Sequence, residues 1–234
     1  MGTPLTPQQQ EQLRNPFHNA LRTHQSAFAE QRGNVLRYRP DVLPFAAVEH
    51  PNTPIDAATL RQDTDVVFVG VLPSIPADTP NATHFTCLQM AWAPTSTAPE
   101  PKPEESELGE ADAADMVELT DVAFPGYYRR NTWQLGRYIG LRIDGQLVAM
   151  AGHRTRMPGL REISGVCTRP GFTGRGYAQH LIQRLLAPEN AQTPDATPYL
   201  HVVSTNVRAI AIYRALQFVE VGEVPLLHIK QAAN

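Results

Sequence analysis

The segment Glu162–Leu186, EISGVCTRPGFTGRGYAQHLIQRLL, constrains this chain most, because its character changes twice along its length. Ile163–Cys167 is a short run of apolar and small residues. Thr168–Gly176 is built of turn-formers, with a proline and two arginines. From Tyr177 an apolar face recurs at Tyr177, Leu181 and Leu185, widened by Ala178, Ile182 and Leu186, which is helical spacing. The segment reads as strand, glycine-rich turn, helix. Gly174 and Gly176 let the backbone crowd an incoming group. The helix start leaves amides free to meet an anion, and Arg169 and Arg175 add positive charge. The pattern points to a phosphate-binding turn, with a plain tight turn as the other reading. A nucleoside-triphosphate loop would need Gly-Lys-Ser/Thr, but Tyr177 and Ala178 follow Gly176. A dinucleotide fingerprint would need a third glycine where Gln179 stands.

The stretch resembles the acyl-CoA-binding motif of the GNAT superfamily of N-acetyltransferases: Arg or Gln, two residues, Gly, one residue, then Gly or Ala. Gly176 and Ala178 match its second half, whereas Thr173 stands where Arg or Gln is usual. The resemblance covers residues 110–229 and implies an α/β fold with a mixed, mostly antiparallel twisted sheet flanked by helices. It implies acetyl-CoA as co-substrate, held by Val166, Cys167, Thr168, Thr173, Gly174, Arg175, Gly176, Tyr177, Ala178 and Asn206. In such folds the sheet splays between the strands that here carry Val166 and His201, and pantetheine lies in the gap.

With 234 residues, the chain is long enough for one large domain or two small ones. A net charge of −3 makes no electrostatic case for nucleic acid or an anionic membrane. No charged-then-apolar leader and no membrane-length apolar run is apparent, so the expectation is a cytoplasmic protein. Cys87 and Cys167 read as buried small hydrophobes, and the histidines and cysteines lack metal-ligand spacing.

Upstream, Met1–Gln10 reads as polar and frayed. Asn15–Arg32 reads as a helix capped by Asn15, with Pro16 in its first turn. Asp56–Asp63 suggests a short helix. Asp65–Leu72 and His84–Trp92 read as strands, and Phe45 as core. Ala93–Glu107 is rich in Pro, Ser, Thr and Glu, which favours an extended linker. The expected division is an accessory α/β lobe at 1–93, a linker at 94–107 and an acetyltransferase domain at 108–234. A surface loop inside one domain is the rival view. Downstream, Ala111–Phe124 is a helix with Met116, Leu119 and Ala123 on one face. The segment Pro125–Trp133 sets aromatics beside two arginines, as an acceptor-site wall or a cover for the core. Asp144-Gly145 between apolar runs signals a hairpin. Strand Glu162–Cys167 follows, with Gly165 marking a bulge or close approach. Residues 188–198 read as a loop. Tyr199–Val203 then forms a strand, Asn206 caps the helix Val207–Leu216, and Val224–Ile229 closes as a last strand.

Amide formation from a thioester and an amine needs a neutral amine, a polarised carbonyl and a proton for the leaving thiolate. Direct transfer suffices when both substrates are held together. The resemblance makes Glu162, on the central strand, the candidate general base, with His153 and His201 as alternatives. It makes Tyr213 the candidate general acid. Gln217 stands where the family has a glycine before Phe218. The implied function is acetyl transfer to a primary amine on a small molecule, with a protein N-terminus as a second acceptor class. A homodimer stays open. A catalytically inactive acyl-CoA-binding protein and a transferase of longer acyl groups are the competing readings.

Overall fold

The structure, a computed structural model, describes residues 4–60, 65–92, 99–102, 104–187 and 196–230. Near the N-terminus the expected frayed stretch is a capped helix, α1 (Pro7–Leu13). The Thr6 side chain accepts from the Gln9 amide while the Gln9 side chain accepts from the Thr6 amide, and Pro7 starts the first turn. Helix α2 (Pro16–Arg22) follows. Asn15 does not cap it through its side chain; its Nδ2 donates to the buried Val48 carbonyl at 2.8 Å. The expected helix to Arg32 stops at Arg22, where Thr23 leaves the helical region. Strand β1 (Ala29–Arg32) instead pairs antiparallel with β2 (Val35–Tyr38), turning at Gly33 with φ 55°. Ladder bonds and the wholly buried strand β2 outweigh a helical pattern that local propensity supports only weakly. Strand β3 (Phe45–Ala47), helix α3 (Ala57–Leu60), strand β4 (Asp65–Val69) and strand β5 (Ala82–Trp92) complete this half. Residues 61–63 of the expected helix Asp56–Asp63 lie outside the described residues.

Strand β6 (Glu105–Leu108) occupies the end of the expected linker, of which 93–98 and 103 lie outside the described residues. Leu108 is buried, and the Glu105 carboxylate meets His180 Nε2 at 2.8 Å and Arg184 Nε at 3.0 Å. These partners lie more than seventy residues away, so local composition carries no sign of them. Helix α4 (Ala113–Ala123) buries Met116 and Leu119, while Ala123 is exposed. Strands β7 (Tyr138–Ile143), β8 (Gln146–Met157) and β9 (Leu160–Thr168) are the three antiparallel neighbours expected. Their first turn holds Asp144 and Gly145 at φ 49° and 79°, the left-handed pair that matches the strand twist. Helix α5 (Tyr177–Leu186), strand β10 (Thr197–Val203), helix α6 (Val207–Ala215) and strand β11 (Phe218–Lys230) follow. Of the loop expected at 188–198, residues 188–195 lie outside the described residues.

All eleven strands among the described residues form one sheet, in the order β1-β2-β3-β4-β11-β5-β10-β9-β8-β7-β6. The last strand runs between β4 and β5, and β5 also pairs with β10. The boundary expected at 94–107 therefore falls within a continuous sheet whose two sequence halves interleave. Most pairings are antiparallel; β3–β4 and β9–β10 are parallel. The β9–β10 ladder joins only Leu160, Arg161 and Glu162 to Thr197, Pro198 and Tyr199, after which the strands separate. Helix α5 buries Leu181, Ile182 and Leu185 in a core that includes Ile139, Val148 and Leu200 of the sheet. Each such side chain contributes about 1.5–3 kcal/mol. A second core gathers Phe17, Tyr38, Phe45 and Val67 around the N-terminal strands.

Gln217 takes φ 68° at the end of α6, where glycine avoids the left-handed penalty. Gln217→Gly should raise unfolding stability by about 0.5–1 kcal/mol. Urea denaturation reads this directly, and a midpoint unchanged or lowered would count against strain at this cap.

Candidate active site

The separation of β9 and β10 opens the sheet where two cavities meet. Gly165 takes φ 64°, and the β8–β9 register shifts so that Ser164 lies opposite Gly152 while Cys167 lies opposite Met150. That is the bulge expected from the glycine. A Cβ there would come within 3.1 Å of the Tyr138 ring, so the close approach also selects glycine. The bulge re-aims the end of β9. Val166, Cys167 and Thr168 line a cleft of about 310 Å³ that continues over the glycine turn to α6.

Thr173, Gly174, Gly176, Tyr177 and Ala178 line this cleft, as do Asn206 and Tyr213. Arg175 does not; its guanidinium lies 5.0 Å over the Phe172 ring and donates to the Gly171 carbonyl. Gly174 and Gly176 take φ 80° and 77°, and an added Cβ at either would meet nothing within 4 Å. The turn thus presents bare backbone to open space. The first intrahelical bond runs from the His180 amide to the Gly176 carbonyl. The amides of Tyr177, Ala178 and Gln179 therefore stand at the positive end of the helix, ahead of its first bond. Arg208, which the sequence reading passed over, adds a cation to the cleft. The apolar face of α6 draws attention away from it, because an exposed arginine on a helix reads as ordinary solvated surface.

Asn206 caps α6, its Oδ1 accepting from the Ala209 amide at 3.1 Å. The cap fixes the helix start where the cleft meets a second cavity. That cavity, about 340 Å³, is lined by Phe45, Val69, Phe85 and Cys87 from the N-terminal half. Phe124, Tyr127, Arg154, Ser164 and His201 come from the rest of the chain. Val166, Asn206, Ala209 and Tyr213 line both spaces, so Tyr213 stands at their junction. Its ring packs edge-on to Phe218, with centroids 6.0 Å apart. Burial pushes its hydroxyl up to about 12, which keeps the phenol protonated at neutral pH. Each cavity also carries a thiol. Burial raises Cys87 to about 11 and Cys167 to about 12, so neither is a thiolate nucleophile near neutrality.

Glu162, expected as the base, lines neither cavity. Its side chain is fully buried beneath the second one. Arg154 grips it from two nitrogens, at 2.9 Å and 2.6 Å. The Thr155 hydroxyl donates to it at 2.9 Å and His201 Nδ1 at 2.7 Å. Burial pushes this carboxyl upward, but Arg154 and the His201 N–H outweigh it and hold the group far below the usual carboxylate range. A carboxylate so committed is a weak proton acceptor. His201 is committed as well. Its Nε2 lies 3.1 Å from Gln89 Nε2, an amide nitrogen that also donates to the Leu13 carbonyl at 2.8 Å. His201 therefore accepts at Nε2 and donates at Nδ1. His153 is buried away from both cavities, and burial, with Arg161, Arg137 and Arg156 nearby, lowers it to about 3.

The Arg154 guanidinium lies 4.6 Å over Phe45 and 5.1 Å over Phe17, so the ion pair also joins the two sequence halves. Glu162→Gln removes the charge and leaves Arg154 buried without a counterion, and should cost about 3–5 kcal/mol of stability. Because the folded carboxyl is depressed, its contribution is fully present above the unfolded value of about 4.3 and is lost as pH falls below it. Denaturation of both proteins from pH 7 downward should show the wild type converging on the variant. Parallel curves would assign the stability elsewhere.

Residues 106–218 match the model of the acetyltransferase (GNAT) family. The chain is 30% identical over 126 residues to the N-alpha-acetyltransferase RimI of Mycobacterium tuberculosis, covering 49% of this chain and 77% of the relative. A GNAT-family protein from Novosphingobium aromaticivorans superposes with a TM-score of 0.75 at 31% identity, over 94% of this chain and 99% of its own. A GCN5-related N-acetyltransferase from Kribbella flavida shares the fold at TM-score 0.55 and 17% identity, over 95% and 96% of the two chains. The glycine turn, the splayed strands and these likenesses agree: the chain belongs to the GNAT family of acetyltransferases.

Proposed function

We propose that this enzyme moves an acetyl group from acetyl-CoA directly to a primary amine. The observation that carries the reading is the continuity of the two cavities through Tyr213. One has the character of an anion cradle, with bare glycine backbone, helix-start amides and Arg208. The residues fit a pyrophosphate, since the space a Cβ would take at Gly174 and Gly176 is open. The end of β9 at Val166 and Thr168, unpaired on its β10 side, suits an extended amide-bearing arm laid beside it like a strand. The other cavity is aromatic and apolar around the paired Arg154, which suits an uncharged amine and disfavours an ammonium. Both thiols stay protonated, which favours direct attack over a covalent intermediate.

In this mechanism the amine nitrogen forms the new bond to the thioester carbon, the carbon–sulfur bond breaks, and Tyr213 supplies a proton to the departing sulfur. Glu162 takes a different part from the base expected of it. It holds Arg154 and His201 in place as part of the acceptor cavity floor. A small amine suits the aromatic walls. A protein N-terminus is the second reading, favoured by the likeness to an N-alpha-acetyltransferase. The setting we infer is the cytoplasm.

Free-thiol release from acetyl-CoA should be followed with phenethylamine and with a hexapeptide bearing a free N-terminus. Release with neither, at up to millimolar acceptor, counts against the transferase reading. Tyr213→Phe keeps the ring and removes the hydroxyl. Its turnover should fall about tenfold to a thousandfold with the acetyl-CoA dissociation constant unchanged, and undiminished turnover would remove Tyr213 from the mechanism. Gly176→Val loses the left-handed turn and fills open space, so calorimetry should show acetyl-CoA affinity lower by about tenfold or more. Thr173→Arg should bind equally or more tightly. Unchanged affinity in a folded Gly176→Val would move the pyrophosphate elsewhere.

A further inference from the structure

With Glu162, His201 and His153 committed or remote, the proton of the acceptor ammonium needs another destination. Tyr127 lines the acceptor cavity, and its hydroxyl lies 3.1 Å from His228 Nδ1. His228 is buried, and its Nε2 faces Asp65 Oδ1 at 3.9 Å. Asp65 in turn meets the Arg129 guanidinium at 3.7 Å. Tyr127 and His228 also line a neighbouring cavity with Asn81, Thr83 and Lys230. The three groups thus form a line from the acceptor cavity, through a hydroxyl and an imidazole, to a carboxylate. We propose that Tyr127, His228 and Asp65 are the proton-accepting path of this enzyme, a proposal that rests on the transferase reading above.

The hydrogen bonding suits the task. The path calls for the imidazole proton on Nε2, the side facing Asp65, so that Nδ1 accepts from the Tyr127 hydroxyl. Burial lowers His228 below the ordinary histidine value; Asp65 opposes this, while Lys230 and Arg129 reinforce it. Its ladder neighbours, Thr83 on β5 and Val67 on β4, carry no charge. A neutral imidazole is therefore ready to accept at neutral pH. The step balances as follows. One ammonium proton moves to the Tyr127 oxygen as the Tyr127 proton moves to His228 Nδ1, giving a neutral amine and an imidazolium beside Asp65. The amine lone pair forms the C–N bond, and the C–S pair leaves on sulfur. Sulfur takes the Tyr213 proton, and the second proton of the new amide nitrogen replaces it. His228 returns its extra proton to water through the neighbouring cavity. Tyr127 is the catalytic residue of this path; His228 and Asp65 act through it.

The test measures kcat/KM for the acceptor at saturating acetyl-CoA from pH 6 to pH 10, using whichever of phenethylamine and the hexapeptide the wild type turns over. Tyr127→Phe should lose about a hundredfold at pH 7. The gap should close above the acceptor's own pKa, where the free amine is already neutral. His228→Gln should lose the acid limb that the wild type shows, with Asp65→Asn shifting that limb to lower pH. Calorimetric affinity for acetyl-CoA should stay unchanged in all three. A wild type with an acid limb that persists in His228→Gln overturns the path, as does a Tyr127→Phe loss that is constant across pH or absent. A wild type that releases no thiol with either amine overturns the transferase reading, and the path with it.

Discussion

The buried ion pair between Glu162 and Arg154 is the interaction on which the rest of this structure depends. It joins β8 to β9 through two short contacts, and Thr155 and His201 complete the shell around the carboxylate. The guanidinium lies over Phe17 and Phe45, which belong to α2 and β3. His201 stacks on Phe17 as well, with ring centroids 6.4 Å apart. Residues far apart in the chain are thus held by one charge and its partner. The pair sits at the last rung of the β9–β10 ladder, Glu162 opposite Tyr199. Just beyond it the strands separate. A well-satisfied charge cluster at that rung compensates for the backbone pairing that ends there, and it forms the floor from which the opening begins.

That opening gives the site its division of labour. On one side β9, bent by the Gly165 bulge, leads into the glycine turn and the start of α5. Those elements offer backbone donors, and Thr173 lines the cleft beside them. On the other side the walls are residues drawn from seven strands, helix α6 and two connecting segments. Tyr213, placed by the Asn206 cap and packed against Phe218, belongs to both. Chemistry between two substrates calls for such a shared residue.

Much of the glycine-turn side was legible in the sequence because its signals are local. The positive φ values of Gly174 and Gly176, the apolar face of α5, the Asp144-Gly145 turn and the bulge at Gly165 all follow from residue types at short spacing. The N-terminal half was not legible in the same way. Ala29–Arg32 carries a helical pattern, yet it pairs with Val35–Tyr38, since cross-strand bonds and burial decide between two weak local preferences. Glu105 looked like one acid among several in a proline-rich run, and its role depends on His180 and Arg184. Glu162 reads from the sequence as a general base, but its chemistry depends on where Arg154 and His201 lie. A carboxylate on a strand reads alike whether it is free to take a proton or locked in an ion pair.

The same contrast bears on specificity. The family match spans residues 106–218, which include the glycine turn and Tyr213. Phe45, Val69, Phe85 and Cys87 lie before that span, and Leu226 and His228 lie after it, yet all of them line the acceptor cavity or its neighbour. Interleaving β11 between β4 and β5 is what brings these two flanks together. The parts outside the matched span supply Phe45, Val69, Phe85, Cys87 and Leu226 to the second cavity, while Phe124, Tyr127, Arg154, Ser164 and His201 come from within it. On the reading proposed above, acceptor preference depends on β3, β4, β5 and β11 together with the strands of the matched span, so a likeness confined to that span covers only part of the cavity that an acceptor would enter.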